Sequence, residues 1–90
     1  MTLTATSVPA LWKLARLSHD AVRGRPVLLY PEGAVLLNDT AKAILELVNG
    51  QRSIADIATI LGARYDGADV EADVIECLER LTRQELIRER

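Results

Sequence analysis

Residues 26–37 read Pro26-Val27-Leu28-Leu29-Tyr30-Pro31-Glu32-Gly33-Ala34-Val35-Leu36-Leu37. Two short apolar runs, Pro26–Tyr30 and Ala34–Leu37, flank a turn with proline second and glycine fourth, the placement a type I turn prefers. They predict a hairpin. Upstream, Leu14–Asp20 alternates, with Ala15, Leu17 and His19 on one face and Arg16, Ser18 and Asp20 on the other. Gly24, free to take positive φ, closes the turn between Asp20 and Arg25. Such short connections make an antiparallel meander in which the first and third strands are edges.

Downstream the period changes to that of helices. Asn38 or Asp39 caps a first helix carrying Ala41, Ile44, Leu45 and Val48, and Gly50 ends it. Ser53-Ile54-Ala55-Asp56 resembles a capping box with aspartate in place of glutamate. The second helix then buries Ile54, Ile57, Ala58 and Leu61 and runs to about Tyr65. After Asp66-Gly67-Ala68, Asp69 caps a third helix with the stripe Val70, Val74, Cys77, Leu78 and Leu81. Residues 1–13 read as an irregular N-terminal arm whose end, with Leu11 and Trp12, docks on something apolar. The expected architecture is α+β: a three-stranded antiparallel sheet followed by three helices, close to a winged helix-turn-helix, as one domain over residues 14–90.

Composition bounds the possibilities. Ninety residues, 49% hydrophobic and 27% charged, make one soluble domain with a modest core. Aromatics are 3% and phenylalanine is absent, so aliphatic side chains fill the interior. No apolar run reaches the roughly 18 residues of a membrane span, and residues 1–12 lack a signal peptide's pattern. One cysteine cannot form an internal disulfide. The expected location is cytoplasmic. Residues 1–52 carry six basic side chains against four acidic ones, and residues 53–90 five against nine, so the halves stand at +2 and −4.

Catalytic chemistry has no foothold. His19 has no histidine or cysteine neighbour with which to head a zinc site. Cys77 lies on an apolar helical stripe beside Asp73 and Glu76, where a thiolate is disfavoured. Glu71, Asp73, Glu76 and Glu79 spread around a helix rather than converging. No phosphate-binding glycine loop or nucleophile elbow occurs. No catalytic residue, metal or cofactor is expected. The winged-helix topology raises the alternative of a nucleic-acid-binding or regulatory protein, yet the third helix offers carboxylates where phosphates need cations.

Surface made for partners remains. Val27-Leu28-Leu29-Tyr30 and Ala34-Val35-Leu36-Leu37 are apolar on both faces, whereas a sheet packed on one side alternates. The arm, a second copy or a client must cover the other face, so a homodimer is one expectation. The third strand is also an edge that can accept an added strand.

The stretches Arg16-Leu17 … Asp20, Val22-Arg23-Gly24-Arg25, Val27-Leu28-Leu29-Tyr30-Pro31-Glu32-Gly33 and Leu36-Leu37-Asn38 together resemble the PqqD family. So do Ala41 … Ile44-Leu45, Gly50 … Ser53-Ile54, Ile57, and Val70-Glu71 … Asp73-Val74. The resemblance runs from about Val8 to the C-terminus, and the Arg-Gly-Arg hairpin before Val-Leu-Leu-x-Pro-Glu is its most specific part. It implies a non-catalytic peptide chaperone of pyrroloquinoline quinone biosynthesis that binds the precursor PqqA and presents it to the radical SAM enzyme PqqE. It further implies a peptide added beside the third strand, under the third helix. Two departures stand out: Pro26, which cannot donate a strand hydrogen bond, where a bulkier residue is expected, and an end at Arg90 without an extension. On this reading Val35, Leu36 and Leu37 pair with the client backbone. Ile75, roughly 115° round from the core stripe, forms a groove lip with Glu71, Leu78 and Thr82.

Overall fold

The computed structural model describes residues 3–90; Met1 and Thr2 of the expected arm lie outside them. The element order is β1 (Pro9–Leu11), β2 (Arg16–Asp20), β3 (Arg25–Tyr30), β4 (Gly33–Leu36), α1 (Asp39–Leu47), α2 (Ile54–Ala63), α3 (Glu71–Arg83) and β5 (Ile87–Glu89). The meander β2-β3-β4 and the three helices follow the expected α+β order. A second, two-stranded sheet of β1 and β5 joins them.

The β2–β3 turn is built by Asp20. Its Oδ1 accepts the Val22 and Arg23 N–H groups and its Oδ2 accepts the Arg23 guanidinium at 2.8 Å. The Arg23 backbone bond first, then its guanidinium, hold the Asp20 carboxyl below its ordinary pKa of 3.8. Gly24 completes the turn at φ +66°. Pro31 and Glu32 alone join β3 to β4.

Pro26 does not make β3 irregular. Leu37 donates its N–H to the Pro26 carbonyl at 2.9 Å, one half of a hydrogen-bonded antiparallel pair. The missing half is a Pro26 N–H to the Leu37 carbonyl. Arg25 supplies it: its Nε and Nη2 reach that carbonyl at 3.2 and 3.1 Å. The side chain of one residue thus stands in for the backbone donor that its neighbour lacks. Arg25→Met should therefore destabilise the domain by about 1–2 kcal/mol, the scale of an orphaned carbonyl. In a Pro26→Ala background, where a backbone N–H returns, the same substitution should cost clearly less. Urea unfolding of the four chains gives the coupling, and strictly additive effects would refute the substitution of donors.

One face of the sheet packs on the helices. Leu28 is completely buried, and Leu17, Tyr30 and Val35 join it against Ile44, Ile57, Leu61, Val74 and Leu78. The helix starts follow the sequence. The Asn38 side chain accepts the Ala41 N–H, and Ser53 and Asp56 complete a capping box. The third start differs: Val70 occupies the cap position without a side-chain bond, and Asp69 instead accepts the Glu71 N–H. A short loop returns from α2 to α3, and Gly62 permits it. A Cβ there would stand 2.5 Å from the Ala68 carbonyl oxygen.

The expected irregular arm is part of the fold. Leu3 is buried in the core, and the Ala5 and Ser7 carbonyls accept the Ala55 and Ile54 N–H groups at the start of α2. Those N–H groups have no partner within their own helix. Pro9–Leu11 pairs with β5 in register Pro9↔Glu89, Ala10↔Arg88, Leu11↔Ile87. Leu11 and Trp12 dock on the main core, as expected, so the arm does not cover the outer face of the meander. Among the described residues no helix is long and apolar enough to cross a membrane, and no group of histidine, cysteine and carboxylate side chains is placed to hold a metal ion.

Candidate functional site

β4 is an edge: its one neighbour is β3. Which of its backbone groups are free follows from the register. Leu37 bonds to Pro26, and antiparallel pairs alternate between bonded and non-bonded. Val35↔Leu28 and Gly33↔Tyr30 are then bonded pairs, while Leu36↔Val27 and Ala34↔Leu29 are not. Ala34 and Leu36 therefore point their N–H and C=O groups away from the sheet. Val35 and Leu37 spend theirs on β3, the Leu37 carbonyl also holding Arg25. Of the expected trio Val35, Leu36 and Leu37, only Leu36 points its backbone groups outward, and Ala34, which was not expected, does so as well.

Residues of α3 line two clefts that adjoin the chain on either side of β4. Asp73, Glu76, Cys77 and Arg80 line a cleft of about 340 Å³ with Asn38 and Ala41, which follow β4 in the chain. At the other end of β4, Tyr30 and Glu32 line a cleft of about 950 Å³ with Trp12, Thr82 and Gln84 beyond. No residue of β4 lines either cleft; the strip of surface along the strand between them is termed the corridor. Ile75 stands roughly 160° around the helix from Cys77. Its row, Glu71-Ile75-Glu79, faces elsewhere. Glu71 lines a separate cleft with Ala55, Ala58 and Gly62 of α2, and Glu79 accepts the Leu3 N–H at 3.0 Å.

The expected groove residues therefore divide. Glu71, Ile75 and Thr82 share one side of α3, and the Glu71 end of that side meets α2. Leu37 and Leu78 are core side chains, 4% and 0% exposed, and can only form a floor. Thr82 lines the cleft near Tyr30, its hydroxyl donating to the Leu78 carbonyl at 2.8 Å.

The corridor's chemistry is that of recognition. Burial pushes the Cys77 thiol above its ordinary pKa, with Arg80 opposing and Glu76 adding to the shift, so the group stays protonated and weakly nucleophilic. Arg80 and Glu76 form an exposed i,i+4 pair at 3.3 Å, a contact weak enough to be exchanged for a ligand. No nucleophile–base pair is present among the residues lining the corridor. An unpaired strand edge beside an apolar-floored corridor can hold extended chain by backbone hydrogen bonds and read alternate side chains.

These features define a winged-helix-like α+β domain with an open strand edge. Comparison with known proteins makes the assignment specific: residues 26–87 match the family described as Coenzyme PQQ synthesis protein D (PqqD), and the chain belongs to that family. A PqqA binding protein of Methylococcus capsulatus is 40% identical, over 99% of this chain and 96% of its own length. A bifunctional coenzyme PQQ synthesis protein C/D of Methylorubrum extorquens is 40% identical over 93% of this chain, which spans 23% of that longer protein. Among solved structures, the solution structure of the PqqD truncation of Methylobacterium extorquens PqqCD, described as a stand-alone RiPP recognition element, superposes with a TM-score of 0.85 at 37% identity, covering 97% and 95% of the two chains. Crystalline PqqD from Xanthomonas campestris gives 0.60 at 39% identity, covering 97% and 99%.

Proposed function

We propose that this chain is a non-catalytic carrier in pyrroloquinoline quinone biosynthesis that binds the precursor peptide PqqA as an added strand along β4 and presents it to the radical SAM enzyme PqqE. The free backbone of Ala34 and Leu36 beside the corridor is the observation that carries the reading. Relatives named PqqA binding proteins, aligned over nearly their whole length, support it. The peptide backbone bonds to Ala34 and Leu36. Its inward side chains lie between Val35 and the Cys77–Arg80 flank of α3, and Thr82 meets one end. The domain that does this includes the N-terminal segment, which holds α2 and α3 in place.

Titration of isotopically labelled chain with a synthetic PqqA-like peptide tests the placement. Amide shifts should concentrate at Ala34, Leu36, Cys77 and Arg80 and spare Glu71 and Ile75. Ile75→Asp should leave affinity within about twofold of wild type, because Glu71 and Glu79 on either side of it face α2 and the arm. Shifts confined to the Glu71–Ile75–Glu79 row would refute the placement, and absence of any binding would refute the carrier role. Addition of the chain to PqqE and peptide should accelerate the Glu–Tyr crosslink that PqqE forms.

A further inference from the structure

The outer face of the meander is a second surface, distinct from the peptide corridor. The register stacks Arg16, Leu29 and Ala34 in one row, Ser18, Val27 and Leu36 in the next, and Asp20 beside Arg25 in the third. Side chains alternate across a sheet, so these rows share the face opposite Leu28 and the core. Val27 confirms the geometry: it is only 4% exposed yet stands outside the core cluster, shielded by neighbours on its own face. Leu36 remains 44% exposed. Val27, Leu29, Ala34 and Leu36 floor a hollow of about 400 Å³ with Ser18, His19 and the Asp20–Arg23 pair at its margin.

The rim is basic. Arg16 and Arg25 are exposed on this face beside the hollow and have no carboxylate partner among the described residues, Arg25 bonding the Leu37 carbonyl; Arg23 is held by Asp20, so three arginines face one acid. Two copies meeting face to face would set this arginine-rich rim against itself, which disfavours a symmetric dimer through the hollow. An apolar hollow within a cationic rim fits a protein surface of the complementary kind, one apolar anchor residue ringed by carboxylates.

We propose that this outer face docks a folded protein partner with an apolar-centred, acidic contact patch, and, resting on the carrier role above, that the partner is the enzyme receiving the peptide. Ala34 and Leu36 link the two surfaces. Their backbones form the peptide edge while their side chains lie on the docking face. A strand added to β4 extends that face, so an enzyme seated on the hollow lies beside the client's outward side chains.

Calorimetric titration of PqqE and, separately, of PqqA-like peptide into the wild-type chain, Leu29→Glu and Arg16→Glu tests the proposal. Neither residue belongs to the core cluster or the corridor. Both variants should fold and keep peptide affinity within about twofold. Leu29→Glu should weaken enzyme binding about tenfold or more, and Arg16→Glu should lower it in a salt-dependent manner. Undiminished enzyme affinity in folded Leu29→Glu overturns the proposal. So does a wild-type chain that never binds PqqE, or a homodimer in sedimentation that Leu29→Glu converts to monomer. A wild-type chain that binds the enzyme but no peptide refutes the carrier role instead, and the enzyme titrations of the two variants still decide the docking face.

Discussion

Val35→Pro is expected to destabilise the domain severely, whereas Leu36→Pro, one residue on, is expected to keep most of its stability and lose the client peptide. The two sites are adjacent in an edge strand but opposite in the direction of their N–H groups. Val35 pairs with Leu28 in the bonded register, so proline there deletes a ladder bond, orphans the carbonyl of a fully buried residue and strips apolar contact from the core. The combined cost is roughly 3 kcal/mol or more. A domain of this size has a total stability of only about 5–13 kcal/mol. Leu36 points its N–H away from β3, the position in which an edge strand tolerates proline. There the substitution removes a donor that serves only an incoming strand, and the ring crowds its approach. Affinity for the peptide should fall about tenfold to a hundredfold, or roughly 1.4–3 kcal/mol. Circular dichroism and peptide titration of both variants check this. A Leu36→Pro that loses as much stability as Val35→Pro in urea unfolding would show that the assigned parity of β4 is wrong.

Leu28→Ala and Val27→Ala form the second contrast. The side chains are 0% and 4% exposed, so burial alone ranks them as equals. Leu28 sits in the central strand against the helices, where truncation leaves a void the packed core cannot close, and about 2–5 kcal/mol should be lost. Val27 sits on the outer face over an open hollow, where water can enter and neighbours can settle. About 1–2 kcal/mol is expected, the transfer value of the removed methyl groups. Midpoints of urea unfolding measure both, and equal losses would mean that the outer face is packed as tightly as the core.

Much of this fold is written in local chemistry. The capping groups Asn38 and Ser53-x-x-Asp56, the Asp20 and Pro31-Glu32 turns and the helical stripes act within a few residues, and each element lies within two or three residues of its expected bounds. β1 and β5 were beyond that reach. Three-residue strands carry no usable period, and their pairing joins chain segments about eighty residues apart. The flank of α3 that meets α2 was hidden for a different reason. On a helical wheel, the two flanks of the α3 stripe, Glu71-Ile75 on one side and Asp73-Cys77-Arg80 on the other, are equivalent until tertiary packing decides which meets α2. The parity of β4, by contrast, was within reach. A two-residue loop from Tyr30 to Gly33 makes that pair hydrogen-bonded, and counting by twos leaves Ala34 and Leu36 facing outward.

The pairing of Pro9 with Glu89 has a topological consequence. Arg90 ends the described chain directly beyond β5, so a polypeptide appended there departs from the β1–β5 ribbon, whereas the chain before β1 runs on to Leu3 in the core. That ribbon is a separate sheet from the one that ends in β4. The domain is thus a pendant that can hang from another protein by its C-terminal end without a tether entering the ladder of β2, β3 and β4. The same closure makes fraying expensive. Releasing the first dozen residues would strip β5 of its partner, open Leu3 and Leu11 to water and uncap α2, so the two ends should exchange their amide hydrogens as one cooperative unit.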